Sequence, residues 1–268
     1  MKRLSPQEIQ MGETSKIQWT GSTWNPWIGC HKISPGCKFC YAERWMKRTG
    51  NDFHSIRRTS EKTFHSPLTW KESKKIFTCS LSDFFLEDAD EWRDEAWNII
   101  EATPRHTYQI LTKRPDRILS HLPTSWDQGF NHVWIGVTAE DRHTLRQRAK
   151  DFAKVHSTVR FLSLEPLLSS VSSELKLMVN DFDWLIVGGE SGGRRKRRTT
   201  DLDWIRGVVN VCQAHSIPVF VKQLGSGLAD RMNLTDWHGG EMSEFPRDLQ
   251  IRQIPTSLPA RESRGGGS

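Results

Sequence analysis

The sequence predicts an α/β fold, namely a single-domain partial (β/α) barrel of about six to seven parallel strands. Two observations support this prediction. Short apolar runs typical of buried strands recur along the chain, and helix-like stretches lie between them. Polar or ionisable groups follow each run, as at the carboxyl ends of barrel strands. Alternating strands and helices favour a parallel sheet with right-handed crossovers.

The first predicted element, residues 17–27, precedes a cysteine-rich loop and a helix that begins near Tyr41. Apolar runs predict later strands at residues 76–80, 107–111, 133–137, 159–164, 184–187 and 219–221. Apolar residues at helical spacing predict helices at residues 87–103, 141–155 and 202–214.

Composition narrows the class of protein. The chain has 268 residues, a length that suits one large domain such as an α/β barrel, or two small ones. Its 12 Trp and 12 Phe can build a core, which argues against a disordered chain. No run approaches the ~18–20 apolar residues of a membrane span. The first ten residues carry no export signal, so we expect a cytoplasmic protein. The net charge of +6 leans mildly toward an anionic partner.

The chain is expected to divide into three parts. Residues 1–13 are predicted to be a flexible N-terminal extension, and residues 14–255 form the barrel, with the cysteine loop at 29–42. Residues 256–268 are predicted to be a tail, and its final SRGGGS is typical of a linker.

Three of the five cysteines are clustered in sequence. Cys30, Cys37 and Cys40 follow the spacing C-x6-C-x2-C, which lets two thiolates face one metal while the third closes around it. The odd total and the missing export signal make a disulfide framework unexpected. Cys79 lies in an apolar run and Cys212 on a predicted helix, so both are expected to be buried, inert thiols.

The spacing alone leaves three interpretations open: an iron–sulfur cluster, which we favour, a zinc site, or unligated thiols. A structural zinc ion needs four ligands. His31 is a candidate fourth ligand, but it adjoins Cys30, and neighbouring residues rarely both reach one tetrahedral ion. A four-iron cluster on three cysteines leaves one iron open for an exogenous ligand, which is a catalytic arrangement.

Ionisable groups follow the predicted strands. They are Asp83, Lys113, Arg114, Glu140, Glu165, Glu190 and Lys222. The carboxyl ends of parallel barrel strands meet at one face, so we expect these groups to converge on one mouth. Two alternatives remain at this stage: polar loops that merely follow strands, and a salt-bridge network that holds the barrel together.

A basic run follows Gly192 and Gly193. It consists of Arg194, Arg195, Lys196, Arg197 and Arg198. Such a run is either a solvated loop or a loop at the barrel mouth that binds phosphates.

Several motifs together resemble a known family. They are KIQWT at 16–20, TWNP at 23–26, SPGC at 34–37, CYAE at 40–43, LTKRP at 111–115, FLSLEPL at 161–167, VGGESG at 187–192 and FVKQ at 220–223. Over roughly residues 14–250 the chain resembles the bacteriophage gene-product 37/68 family, a radical-SAM-like family of unsettled function. A cysteine loop followed by about six β/α units is the order of radical S-adenosylmethionine enzymes. Here C-x6-C replaces their usual C-x3-C, and the basic run replaces a less charged segment with proline.

This resemblance implies a cofactor and an activity. Cys30, Cys37 and Cys40 would hold a [4Fe–4S] cluster whose open iron chelates S-adenosylmethionine, with release of a 5′-deoxyadenosyl radical. Asp83 and Glu140 end the second and fourth strands, where such folds usually meet the cofactor's amino group and ribose. Tyr41 beside the loop is a third expected cofactor contact.

The remaining groups are assigned to the substrate. Catalytic or substrate-binding roles are expected for Lys113, Arg114, Glu165, Glu190 and Lys222, and nucleic-acid contact is expected for residues 194–198. The expected function is modification or repair of a nucleic acid or nucleotide. The expected partners are DNA or RNA, a protein encoded nearby, and a reductant such as a flavodoxin or ferredoxin, with no membrane. The alternative is a non-catalytic, metal-stabilised nucleic-acid-binding protein or a subunit of a phage or defence complex.

Overall fold

The computed structural model describes residues 13–192 and 197–256. Most of the predicted extension and tail, and residues 193–196, therefore lie outside the described residues. The strands are β1 (Ser22–Trp24), β2 (Trp27–Ile28), β3 (Arg57–Arg58), β4 (Lys75–Thr78), β5 (Thr107–Thr112), β6 (Val133–Thr138), β7 (Val159–Leu164), β8 (Trp184–Gly188) and β9 (Val219–Gln223). The helices are α1 (Tyr41–Arg48), α2 (Glu61–Phe64), α3 (Ser66–Thr69), α4 (Asp90–Ala102), α5 (Arg142–Phe152), α6 (Ser172–Met178), α7 (Leu202–Ala214) and α8 (Ser226–Arg231).

Seven strands form one parallel sheet in the order β1-β4-β5-β6-β7-β8-β9, and β2 and β3 form a separate antiparallel pair. The order of the large sheet follows the chain without reversal. Right-handed crossovers then place the connecting helices on one face, because the chain always advances in the same direction across the sheet. The structure therefore confirms the predicted α/β fold with a partial barrel of parallel strands.

The boundaries of the predicted later strands and helices agree with the structure to within about three residues, and two differences have a clear structural cause. The predicted strand at 76–80 ends at Thr78, because Cys79 adopts a φ of 62° and leaves the extended conformation. The predicted first element, 17–27, is divided into β1 and β2. Helix α5 begins after Asp141, whose carboxylate accepts the Thr144 N–H at 2.8 Å and caps the helix.

Strands β4 to β9 each contribute to two separate cores. The helix-covered face carries aliphatic residues such as Ile135, Leu162 and Val187. The inner face is packed with Trp19, Phe77, Trp134, Phe161, Trp184 and Phe220. This inner cluster is named the aromatic floor below. A Cβ atom on Gly136 would lie 2.5 Å from the Phe161 ring, so glycine at that position leaves room for the ring.

Cys79 and Cys212 are buried, as the sequence predicted. Within the residues that the structure describes, no helix combines the length and apolar character needed to cross a membrane.

Candidate functional site at the mouth of the half-barrel

A cavity of about 280 Å³ opens at the carboxyl ends of the parallel strands. Ten of the predicted site residues line it: Cys30, Cys37, Cys40, Tyr41, Asp83, Lys113, Arg114, Glu165, Glu190 and Lys222. Trp19, Phe77 and Leu111, which belong to the inner face of the sheet, contribute its apolar wall. Glu140 does not line the cavity and is completely buried behind it.

A tight turn brings Cys30 to the cavity. Gly29 has a φ of 96°, and a Cβ there would lie 2.8 Å from the Ser55 carbonyl oxygen, so this position requires glycine. The Cys30 N–H then donates to the Phe53 carbonyl at 2.9 Å. The first cysteine is thus fixed by the backbone on both sides of the turn.

The loop between Cys30 and Cys37 rests on Glu140. Ser34 Oγ donates to Glu140 Oε1 at 2.7 Å and lies 3.7 Å from Cys37 Sγ. A Cβ on Gly36 would lie 2.3 Å from Glu140 Cγ, so a larger residue would not fit between the loop and this carboxylate. Glu140 therefore holds the loop from below.

Cys40 occupies the N-cap position of α1. Burial raises the pKa of its thiol, while the nearby backbone N–H groups of Glu43 and Ala42 oppose that rise. Donors at a helix N-terminus stabilise a thiolate, so this position favours cysteine as a ligand.

Cys30 lies between a cation and an anion. Burial raises the pKa of its thiol to about 12, and the negative charge of Asp83 adds to the effect. The Arg114 guanidinium opposes it, with Nη1 3.9 Å from the sulfur. A metal bound at these thiols would replace their protons.

The spacing of the three cysteine sulfurs does not match a preformed zinc site. Zn–S bonds of about 2.3 Å place thiolates about 3.8 Å apart, whereas the three sulfurs do not all lie within 4.8 Å of one another. In a four-iron cluster each thiolate binds a different iron, so the sulfurs lie farther apart. His31, the candidate fourth zinc ligand, contacts Asp88 instead, with Nε2 3.1 Å from Oδ1.

Among the residues that the structure describes, one group of His, Cys, Asp or Glu side chains does bring its potential metal-ligand atoms close together. Glu61, His65 and Glu95 bring ligand atoms within 4.8 Å of one another, far along the chain from the cysteines. Arg58 pairs with both carboxylates. Both carboxylates are therefore already engaged by a guanidinium, and the cluster offers no reason to expect a metal ion there.

Asp83 is 5% exposed, and both of its oxygens are occupied. Oδ1 accepts from Thr112 Oγ1 at 2.7 Å and from the Phe85 N–H at 3.0 Å. Oδ2 accepts from the Lys113 N–H at 2.9 Å and from Arg114 Nη1 at 3.1 Å. This carboxylate joins the end of β4 to the end of β5.

Glu140 is paired with two cations, Lys113 Nζ and Arg148 Nη1, the latter at 3.1 Å. Burial alone would raise the pKa of Glu140, but these charges and the hydrogen bonds from Lys113 and Ser34 bring it below its ordinary value. Glu140 is therefore held ionised beneath the cysteine loop.

Two further carboxylates are paired at the cavity wall. Lys222 Nζ lies 2.7 and 2.8 Å from the oxygens of Glu165, which also accepts from Gln223 Nε2 at 3.0 Å. Glu190 is paired with Arg198, whose backbone N–H and Nε donate to Oε2 at 2.7 and 3.1 Å.

Only the last two residues of the basic run, Arg197 and Arg198, belong to the described part of the chain. Arg198 also reaches the cysteine loop, where Nη1 donates to the Pro35 carbonyl at 3.0 Å. Arg197 pairs with Asp230 at 2.8 Å. Both cations therefore have carboxylate partners, while Arg194, Arg195 and Lys196 lie outside the described residues.

Comparison with known proteins places the chain in a family. A family model described as a protein of unknown function, DUF5131, matches residues 14–247. The chain belongs to the DUF5131 family. No curated protein and no solved structure matched it. The DUF5131 description names no activity, so the bacteriophage resemblance and its implied cofactor remain expectations.

The matched DUF5131 region contains functional candidates that sequence reasoning missed. Ser34 and Arg148 complete the environment of Glu140. Arg44 lines the cavity from α1. The available signal for Arg44 was its position one helical turn after Cys40, which places both on the same side of the helix.

Proposed function

We propose that this protein is a radical S-adenosylmethionine enzyme that acts on a nucleic acid or nucleotide, with a [4Fe–4S] cluster on Cys30, Cys37 and Cys40. One observation carries the proposal: all three cysteines line a single cavity at the carboxyl ends of a parallel half-barrel. Barrel enzymes have their active sites at this end. A structural zinc site would need a fourth ligand and closer sulfurs.

When bound, the cluster would supply an electron for reductive cleavage of the sulfonium cofactor. The chain's own residues shape the site. Trp19, Phe77 and Leu111 form an apolar wall that excludes water. The pair of Arg114 with Asp83 orients the segment beside Cys30, since Arg114 Nη2 also donates to the His31 carbonyl at 3.1 Å.

The contacts divide the carboxylates into two roles. Asp83 and Glu140 already accept several hydrogen bonds each and act as positioning residues for the strand ends and the cysteine loop. Glu165 and Lys222 are partly exposed to the cavity, with 17% and 19% of their side chains accessible. A carboxylate there can accept from an ammonium or a ribose hydroxyl. We assign ligand contact to this pair.

The choice of nucleic acid as substrate rests on charge and on resemblance. The chain carries a net charge of +6, and three cations of the basic run, Arg194, Arg195 and Lys196, follow the strand that ends near Glu190. Arg197 and Arg198 are neutralised by carboxylates, so they contribute little to phosphate binding.

Anaerobic reconstitution with iron and sulfide tests the proposal. We expect a brown protein with about four irons per chain, and loss of iron on replacing Cys30, Cys37 or Cys40 by Ala. Cys79→Ala and Cys212→Ala are the matched controls, because both thiols are buried outside the loop and should leave iron content unchanged. Full iron retention in the triple variant would contradict the assignment.

Cofactor turnover is the second measurement. With dithionite and S-adenosylmethionine, the reconstituted protein should release 5′-deoxyadenosine, and Glu165→Gln should reduce that release without lowering iron content. A colourless protein that binds one zinc and no S-adenosylmethionine would instead support the alternative of a metal-stabilised nucleic-acid-binding protein.

A further inference from the structure

The charges that line the cavity are neutralised in pairs, with one exception. The pairs are Asp83 with Arg114, Lys113 with Glu140, Glu165 with Lys222, Glu190 with Arg198, Lys32 with Glu43 and His31 with Asp88. The exception among the described cavity residues is Arg44. This cavity therefore has one uncompensated positive charge.

The backbone of Arg44 is fixed by a hydrogen bond, but one nitrogen of its guanidinium group lacks a hydrogen-bond acceptor among the described residues. Its backbone N–H donates to the Cys40 carbonyl at 3.2 Å, which fixes it one turn into α1. Its Nη1 atom is buried and has no hydrogen-bond partner in the structure. A buried guanidinium nitrogen without an acceptor is costly, and guanidinium groups bind the oxygens of phosphates and carboxylates in forked geometry. The site is thus prepared for an oxyanion.

An exposed tryptophan lies in the segment that packs against the carboxyl end of β9, at the edge of the mouth. Of the 12 Trp residues, 11 are buried or partly buried, and Trp237 alone is exposed, at 57%. Its ring contacts the His238 ring in a tilted arrangement, with ring centroids 3.5 Å apart. The segment folds back on the carboxyl end of β9, where the Leu224 N–H donates to the Gly239 carbonyl at 2.7 Å.

Electrostatics connect this segment to Arg44. Burial lowers the pKa of His238, Asp236 opposes that shift, and the positive charge of Arg44 lowers it further. Backbone geometry also brings this segment to the cavity, because Gln223 lines the cavity together with Arg44 and the N–H of the next residue, Leu224, donates to Gly239, two residues after Trp237. Tyr41, one turn before Arg44 on α1, is the other exposed aromatic residue at the mouth, at 46%.

We propose that Arg44 and Trp237 form a nucleotide subsite at the rim of the cavity, in which Arg44 binds a phosphate and Trp237 stacks on a base of an unpaired strand. This inference rests on the proposed function, because it takes a nucleic acid as the substrate of the same site. Stacking on a protein ring needs a free base face, so single strands are favoured over duplexes.

The position of Trp237 favours a substrate phosphate over a cofactor carboxylate. Arg44 lines the cavity, whereas Trp237 lies beyond its lining and faces solvent. A nucleic-acid strand presents bases and phosphates in alternation, so one strand can contact both residues. A small cofactor enclosed in the cavity would not contact an exposed ring that lies outside it.

Binding of a short fluorescein-labelled single-stranded deoxyoligonucleotide, followed by anisotropy at two salt concentrations, tests the subsite. Arg44→Gln should weaken binding about tenfold and reduce the salt slope of log affinity by about 0.7, the value for one phosphate on a single strand. Trp237→Ala should also weaken binding about tenfold but leave the slope unchanged, and Trp237→Phe should recover most of the affinity.

Two controls are matched to these variants. Lys47→Gln removes an exposed cation from the same helix, and Leu177→Ala truncates an exposed apolar residue on α6. Both should change affinity by less than about twofold. The matching duplex should bind more weakly than the single strand and should be insensitive to Trp237→Ala.

The measurement is made on metal-free and on reconstituted protein, so that its outcome does not depend on the cluster. Equal effects of Arg44→Gln and Lys47→Gln, or no binding by the unmodified protein, would overturn the subsite. If Arg44→Gln changes only the iron absorption spectrum, Arg44 balances the charge of the cluster instead. If it weakens only S-adenosylmethionine binding, Arg44 contacts the cofactor carboxylate. Each of these last two results also rejects the subsite.

Discussion

The aromatic floor and the mouth of the half-barrel are made by the same strands but stabilised by different forces. The floor consists of packed rings, with Trp184 contacting Trp19, Trp134, Phe161 and Phe220 at centroid distances between 5.6 and 6.3 Å. The mouth consists of ion pairs around a cavity. Ring packing and burial of apolar area stabilise the floor, whereas buried ion pairs contribute little net stability because desolvation offsets their attraction.

This difference indicates where stability and chemistry reside. The packed rings of the floor fix the spacing of the strands. The strand ends can then hold charged side chains in the buried positions of the mouth, where desolvation of an unpaired charge would cost free energy. Removing a floor residue should mainly affect folding, while removing a mouth residue should affect ligand binding more than its stability effect alone would suggest.

The largest expected effect is in the floor. Phe161 is fully buried, and Phe161→Ala should lower the free energy of unfolding by about 3–5 kcal/mol, because it leaves a cavity among the rings. Urea denaturation measures the change. Leu177→Ala, a truncation at an 85% exposed residue, is the control and should change it by less than about 0.5 kcal/mol. Equal losses in the two variants would show that the floor is not the stabilising core.

A smaller effect is expected beneath the cysteine loop. Gly36→Ala places a Cβ 2.3 Å from Glu140 Cγ and should lower the free energy of unfolding by about 1–3 kcal/mol through overpacking. It should also lower iron binding, since the loop must move. Gly21→Ala is the matched control, because its Cβ would lie 3.5 Å from the nearest atom. Unchanged iron binding in Gly36→Ala would mean that the loop does not depend on Glu140.

Arg198 tests whether the described end of the basic run is structural. Arg198→Gln leaves Glu190, which is 4% exposed, without its charged partner, and should lower the free energy of unfolding by about 1–2 kcal/mol. The salt slope of oligonucleotide binding should stay unchanged. Arg206→Gln breaks surface pairs only and should be nearly neutral. A reduced salt slope in Arg198→Gln would return this residue to the phosphate-binding group.

The smallest effect concerns pH at the opposite end of the sheet from the mouth. His106 precedes β5, is 1% exposed, and has its pKa lowered by burial from 6.5. Between the folded and unfolded pKa values the unfolded chain binds more protons, so stability is lost as pH falls below about 6.5. His106→Gln should reduce that loss.

Chemical denaturation at about pH 7.5 and about pH 5.5 measures the difference. The control is His143→Gln, at an exposed residue of α5, which should keep the pH dependence of the unmodified protein. An unaltered slope in His106→Gln would show that other groups cause any acid sensitivity.

Much of the fold was accessible from local patterns. Helix α7 was predicted with its observed bounds, because its apolar residues repeat at helical spacing over a long stretch. Strand β4 was predicted two residues too long at its C-terminal end, because the positive φ of Cys79 leaves no mark in an apolar run. The cysteine loop was recognised from spacing alone, since its three cysteines lie close together in sequence.

The candidate site was predictable only in outline. The rule that barrel strands end at one face brought Asp83, Glu165 and Lys222 to the same cavity. That rule does not say which carboxylate has free oxygens. The carboxylate oxygens of Asp83 accept hydrogen bonds from four donors, and Glu140 is buried behind the cysteine loop. Both arrangements depend on groups from other segments of the chain.

The sequence by itself determined the order of strands and helices, the cysteine spacing and the supply of charges and aromatic rings, because these are properties of short segments. Only the tertiary structure decided that 11 of 12 Trp residues are at least partly buried while Trp237 is exposed, and that every described charge lining the cavity except Arg44 has a partner. The burial of a side chain and the pairing of a charge depend on which distant segments of the chain come into contact. The packing of the aromatic floor determines these contacts.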